Sequence, residues 1–368
     1  MRAARGVSMV STEIAERQRF AILDGMRGLA ALAVIADHVP SDFMTALLPG
    51  RYLAVDFFFV LSGFVLAHVY AQRLKDKMSF GEFMRVRIVR LYPLYIVGTL
   101  AGAALALLYA VKGWGEASSA QVATSLAFAA FMLPCPPVFS IWPNAPFPLN
   151  GPAWSLFFEL FINAVFALVA RWLTPRLCLT FMAIGGALLV PTAFGFGQLD
   201  GGFAWSNFVA GFPRVTFGFF TGVWLYLVRA HERVPALPVW AAYPLLAGVF
   251  MIPGEGVWRA IVDLAAALVV FPLLVAACAN TRAKGLILQA STFAGMVSYG
   301  VYILHVPLWG WLQLGLERAS LTLPGAANVL IAAAAAVAVA AVLHVAYDKP
   351  LRRRLSGKHR RSVVSSGD

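Results

Sequence analysis

Ten apolar runs, most of them about the 20 residues a helix needs to cross a hydrocarbon core, fall along this chain. They lie near positions 21 to 40, 52 to 71, 91 to 111, 152 to 171, 177 to 196, 207 to 228, 239 to 253, 258 to 279, 293 to 316 and 326 to 346. In lipid a segment must satisfy its own backbone amides, so such runs fold as helices. The run at 239 to 253 is short for a crossing. Composition agrees: 60% hydrophobic, 12% charged and a mean hydropathy of +0.77 lie outside the range of soluble domains. The expected fold is all-α, a polytopic membrane helical bundle with about ten transmembrane helices.

A further apolar stretch, 121 to 133, has the length of an interfacial or re-entrant segment. Basic residues decide the count. With ten crossings and a cytoplasmic N-terminus, 23 Lys and Arg fall inside, against Arg51, Lys112, Arg259 and Arg318 outside. Counting 121 to 133 as a crossing would invert every later loop and put the Arg-rich C-terminus outside, against the positive-inside rule. Both termini are therefore expected to be cytoplasmic. The chain divides into an N-terminal segment of residues 1–20, a membrane domain of 21–347 and a basic tail of 348–368.

The net charge of +12 follows from this topology, because the basic residues flank crossings instead of forming one nucleic-acid face. No DNA or RNA function is expected. The tail, with Arg352, Arg353, Arg354, Lys358, Arg360 and Arg361, reads as a lipid-facing or disordered anchor. The first run carries Asp24, Arg27, Asp37 and His38 and no small-residue cleavage site, so it is expected to be a retained span. Cys135, Cys178 and Cys278 are scattered, so neither a structural disulfide nor a metal site is expected. The Pro-rich stretch 134 to 148 reads as a rigid loop whose aromatics suit a sugar face, or as a plain cap over the bundle.

Charged groups at membrane depth are costly and mark functional sites by default. On a helix the eleven residues from Arg27 to His38 amount to about 1100° and about 16.5 Å. Both side chains then project from one face at different depths, and that face suits a long ligand. A short loop brings Asp56, near the outer end of the second run, towards His38. A His beside a carboxylate is oriented, and stabilised as imidazolium after taking a proton, as a general base requires; buried His–Asp pairs also serve structure alone. Glu159, inside the fourth run, needs Arg214, a His or a proton, and a purely structural Glu159–Arg214 pair is the alternative reading. His305 in the ninth run reads as a hydrogen-bonding group slightly before a chemical one. Asp263 reads as a paired group, and Ser62-Gly63 as small residues that permit close helix packing.

Leu23-Asp24-Gly25-Met26-Arg27 and the residues to Val34, followed by His38, resemble the opening signature of the acyltransferase-3 family of bacterial integral membrane O-acyltransferases. Val55-Asp56-Phe57-Phe58-Phe59-Val60-Leu61-Ser62-Gly63-Phe64 resembles its second-span motif, and Arg87 and Arg90 before Leu91-Tyr92-Pro93 its cytoplasmic arginine motif. Trp154-Ser155-Leu156 with Glu159 resembles its mid-chain motif, and Ser298-Tyr299-Gly300 with His305 its late motif. The five occur in order between about residues 20 and 350.

The resemblance implies transfer of an acyl group, usually acetyl, from cytoplasmic acyl-CoA to a hydroxyl of an extracytoplasmic acceptor, commonly a carbohydrate of a surface glycan, at the bacterial inner membrane. Acyl-CoA is then a substrate, and no permanently bound cofactor is expected. His38, Asp56, Arg27 and Glu159 are the expected catalytic residues; Arg27, Arg85, Arg87, Arg90, Arg214 and His305 are expected to hold the donor. His38, oriented by Asp56, would take the acceptor's proton, while Arg27 positions the donor or stabilises negative charge. Family members often have adjacent arginines in the cytoplasmic motif, whereas Val86 separates Arg85 from Arg87 here. Some members also carry an extracytoplasmic hydrolase-like domain, so this chain is expected to act alone or with a separate periplasmic partner. The competing reading from another class is a transporter or flippase, which ten spans and buried charges suit equally well. Such a protein has no need of an arginine cluster for acyl-CoA.

Overall fold

The computed structural model describes residues 20–355. The N-terminal segment before Phe20 and the tail beyond Leu355, with Lys358, Arg360 and Arg361, lie outside the described residues. Among the described residues every regular element is helical. Eight helices are long and apolar enough to cross a membrane: Arg51–Asp76, Phe80–Lys112, Ala153–Trp172, Pro175–Phe196, Trp205–Leu227, Gly256–Cys278, Gly285–Arg318 and Gly325–Leu355. The two remaining apolar runs also form helices. The first is α1 (Ala21–His38), which carries Asp24, Arg27 and Asp37. The other is Val239–Met251, whose 13 residues rise only about 20 Å against a hydrocarbon core of about 30 Å.

Chain order continues through α2 (Asp42–Leu47), α3 (Ala54–Asp76), α4 (Phe80–Lys112), α5 (Ser119–Ala130), α6 (Ala153–Val169), α7 (Pro175–Phe196) and α8 (Gly211–Leu227). It ends with α9 (Ala230–Arg233), α10 (Val239–Met251), α11 (Gly256–Ala265), α12 (Phe271–Cys278), α13 (Gly285–Arg318) and α14 (Gly325–Leu343). The stretch 121 to 133 forms no helix of crossing length: α5 has 12 residues, opens on a Ser118–Gln121 capping box and packs on α4. The hydroxyls of Tyr92 and Tyr95 donate to the carbonyls of Ala130 and Ala129 (2.9 and 2.6 Å) at the C-terminal end of α5, where carbonyls lack intrahelical partners; Ala129 also accepts from the Met132 N–H.

Small residues set the packing, as expected where dispersion rather than hydrophobic expulsion joins helices. A Cβ added at Gly63 on α3 would sit 1.9 Å from the Phe219 carbonyl oxygen of α8, and one at Gly222 would sit 2.0 Å from the Val60 carbonyl oxygen. This bears out the packing role for Gly63, whereas Ser62 donates to Glu159, and it aims the α3 side chains on the Gly63 face at α8. Pro307 within α13 has no N–H for the carbonyl four residues back. That carbonyl, of Ile303, instead accepts from Asn150 Nδ2 at 3.2 Å, fastening the long loop before α6 to α13. The same loop is held to the segment before α8 by Trp205, whose indole donates to the Cys135 carbonyl at 3.1 Å. It is a structured cap over this end of the bundle.

Candidate active site

His38 ends α1 and His305 lies mid-way along α13, the helix packed most extensively against α1. Their side chains meet: His38 Nδ1 is 3.1 Å from His305 Nε2. His305 Nδ1 faces only the carbonyls of Tyr302 (2.8 Å) and Val301 (3.2 Å). Because carbonyls only accept, that nitrogen carries the proton, and in a neutral ring Nε2 is then an acceptor. His38 Nδ1, which also faces the Val34 carbonyl at 3.1 Å, must be the donor across the pair. The lone pair of His38 is thereby placed on Nε2. This is the arrangement a base needs, with the rear nitrogen fixed by an acceptor so that the forward one takes a proton.

The expected partner, Asp56, is elsewhere. Both its oxygens accept from one side chain, Arg214, at 3.0 Å from Nε and 2.7 Å from Nη2. The remaining Arg214 donors meet the carbonyls of Gly201 and Tyr52, and its guanidinium lies 5.4 Å from the Trp154 ring centre. Asp56 and Arg214 are both buried, so each requires its counter-charge, and the bidentate fork supplies it. Asp56 therefore does not orient His38, Arg214 does not pair with Glu159, and Arg214, with four of its five N–H groups committed, is not among the residues that line the cavity around Glu159. His305 likewise serves His38 rather than a donor-binding surface.

Glu159 pairs instead with Arg87 (2.7 Å) and accepts from Ser62 Oγ (3.1 Å). These residues line a cavity of about 220 Å³ together with Arg27, Arg90, Ser298 and Tyr299 at one end and Val55, Phe58, Ser155 and Tyr302 at the other. Along α3 it reaches from Leu66 to Val55, eleven residues or about 16.5 Å. Arg27 is held at its charged end by Asp24 (2.9 Å), Ser298 Oγ (2.9 Å) and the Gly295 carbonyl (2.8 Å). Arg90 lies 5.7 Å from the Tyr299 ring centre, with the buried Asp348 at 4.0 Å. Arg87 Nε is buried and has no hydrogen-bond partner among the described residues.

Arg85 does not join this group. On a helix it points about 200° away from Arg87, whereas Arg90 lies within about 60° of Arg87. It donates to the Leu355 carbonyl at 3.3 Å and lines a separate surface hollow with Arg73 and Lys77.

Three further features shape the surroundings. Tyr302 and Ser155, inside or beside two of the quoted motifs but given no role from sequence, join hydroxyls at 2.7 Å. They close the apolar end of the cavity beside His305, whose ring centre is 6.2 Å from that of Tyr302. Asp263 accepts from Arg259 Nε (2.7 Å), from the Tyr52 hydroxyl (2.6 Å) and from the backbone of Leu199 (2.8 Å), a paired group as expected that also draws the 197–204 loop into the bundle. That loop brings Asp200 near Asp37, which is bound to Arg51 at 2.9 Å. Burial, and then the Asp37 carboxylate, push the Asp200 carboxyl up to about 7, while Arg214 and Arg51 act in the opposite direction. Asp200 belongs to none of the quoted motifs, and its neighbours are distant in sequence.

A family model described as an acyltransferase domain matches residues 20–345. Protein 2 in the picA locus of Rhizobium radiobacter is 36% identical over 193 residues, covering 49% of this chain and 97% of that relative. Acyltransferase MdmB of Streptomyces mycarofaciens is 29% identical over 390 residues, covering 95% of each chain. No solved structure matches. The matched span takes in α1 through α14 and with them the histidine pair and the arginine-lined cavity, and the chain belongs to the acyltransferase-3 family of membrane acyltransferases.

Proposed function

We propose that the protein moves an acyl group, acetyl in the simplest case, from acyl-CoA to a hydroxyl of an extracytoplasmic acceptor, a surface carbohydrate fitting best. In this reading it is a multi-pass protein of the bacterial inner membrane with ten crossings and both termini inside. The observation that carries it is the placement of the His38–His305 pair beside Tyr302, a lining residue of a cavity that also holds three arginines. The donor's phosphates meet Arg87, Arg90 and Arg27, and the unpartnered Nε of Arg87 supports an anionic ligand there. Arg27, about 16.5 Å along the helix from His38, positions the donor and takes no part in stabilising the charge that develops at the reacting carbonyl.

At the other end the thioester lies against Ser155 and Tyr302. His38 Nε2 takes the proton of the acceptor hydroxyl, the oxygen attacks the thioester carbonyl, and the oxyanion is met by the neighbouring hydroxyls. Collapse breaks the carbon–sulfur bond, the imidazolium returns its proton to the departing thiolate, and ester and free CoA thiol result. The Nδ1–H of His38, held by His305 and the Val34 carbonyl, steadies the imidazolium meanwhile.

Membranes containing the protein and given acetyl-labelled acetyl-CoA test this. Label is expected in a hydroxyl-bearing acceptor, released by mild alkali as an ester; movement of an acceptor or acyl group without ester formation would contradict it.

A further inference from the structure

We infer that Phe58 ends the donor cavity and restricts the acyl group to short, uncharged chains such as acetyl and propionyl. This rests on the acyl-transfer reading of the same cavity. Residues of α3 line that cavity from Leu66 up to Phe58 and Val55, and neither His38 nor His305 lines it. Tyr302, in that lining, is the side chain next to the histidines, its ring centre 6.2 Å from that of His305. Phe58 and Tyr302 pack edge to face, ring centres 5.5 Å apart and planes at 90°. Tyr302 is fixed at its far end by Ser155 Oγ at 2.7 Å and at its backbone by His305 Nδ1 at 2.8 Å.

A thioester carbonyl presented to an acceptor held at His38 lies at this end of the cavity, beside Tyr302 and Phe58. Its acyl chain then has only the space bounded by Phe58 and Val55. A methyl or ethyl group matches that apolar wall, and each added methylene must displace an aromatic ring that is itself braced. A terminal carboxylate fares worse. Arg214 is buried, has its charge balanced by Asp56 and does not line the cavity, so a succinyl carboxylate at this end would be desolvated without a counter-charge.

The test measures acyl incorporation and CoA-thiol release in membranes supplied with acetyl-, butyryl-, hexanoyl- or succinyl-CoA, comparing wild type, Phe58→Ala and Val55→Ala at matched expression. Wild type is expected to use acetyl-CoA at least about 100-fold better than hexanoyl-CoA, since a pocket separates chains differing by one methylene by about 10- to 200-fold. Phe58→Ala is expected to raise the hexanoyl-to-acetyl ratio about tenfold or more, with succinyl still refused. Should Phe58→Ala lose transfer from every donor, Val55→Ala on the same wall carries the comparison, with the same expected direction. Wild-type use of hexanoyl- or succinyl-CoA at the acetyl rate, or an unchanged ratio in a variant that still transfers acetyl, would overturn the inference while leaving acyl transfer intact. Wild type inert towards all four donors would remove both the inference and the transfer reading beneath it.

Discussion

His305 Nε2 stands 3.1 Å behind His38 Nδ1, and its own Nδ1 is committed to backbone carbonyls, so the orientation of His38 is dictated by a second histidine and not by a carboxylate. A neutral partner has a distinct consequence. It fixes the tautomer of His38 without placing a negative charge against its ring nitrogen.

The acceptor role of His305 predicts an order among its substitutions. His305→Ala removes the acceptor and is expected to lower kcat by about 10²-fold or more. His305→Gln, whose amide oxygen can accept from His38 Nδ1–H, is expected to retain more activity than the alanine variant. Steady-state kinetics with acetyl-CoA check this; equal losses for both variants, or none, would contradict it.

The Asp56–Arg214 pair predicts a loss of stability in place of a specific loss of chemistry. Removing one partner strands a buried charge, at a cost of about 3–5 kcal/mol. Asp56→Ala and Arg214→Met are each expected to melt well below wild type in detergent, and the double variant to melt above either single one. A double variant as unstable as the sum of the two would show that the pair is not the unit.

Arg87 and Arg85 are two residues apart and point to opposite faces of α4. Arg87→Ala is expected to raise KM for acyl-CoA about tenfold or more, the scale of one charge-assisted hydrogen bond to phosphate. Arg85→Ala is expected to stay within about twofold of wild type on the same scale. Donor titrations at saturating acceptor distinguish them, and a larger effect at Arg85 would reverse the assignment.

Asp200 predicts a pH signature. Its carboxyl is raised to about 7, so between the ordinary carboxylate range and pH 7 the folded chain holds a proton that the unfolded chain has released. Stability from this group therefore falls as pH rises through that window. Asp200→Asn is expected to raise the melting temperature more at pH 8 than at pH 5; an equal shift at both would contradict the titration.

The helices were legible because apolar length and the demand for internal hydrogen bonding leave one solution, and the brevity of 121 to 133 and 239 to 253 carried over into short helices. Arg27, Arg87 and Arg90 line one cavity, and Glu159 joins them through Arg87, a partner other than those expected from sequence. Partner choice was not legible. Whether Asp56 turns to His38 or to Arg214 depends on the rotation of α3 about its axis, set by the contacts of Gly63 and Gly222 with α8, and a loop length says nothing about rotation. Arg85 is the opposite case, since helical geometry at 100° per residue is enough to turn it away from Arg87. The Tyr302–Ser155 contact joins residues 147 positions apart, one on α13 and one in the first turn of α6, and no spacing within either motif announces it.

Everything proposed for the chemistry turns on His38 being the base. Single-turnover acetyl transfer in membranes, comparing wild type with His38→Ala at matched expression and matched acetyl-CoA binding, probes it without intermediaries. A fall of about 10²- to 10⁴-fold in the transfer step is expected, with donor binding retained; transfer at the wild-type rate by a folded, donor-binding His38→Ala protein would contradict that role.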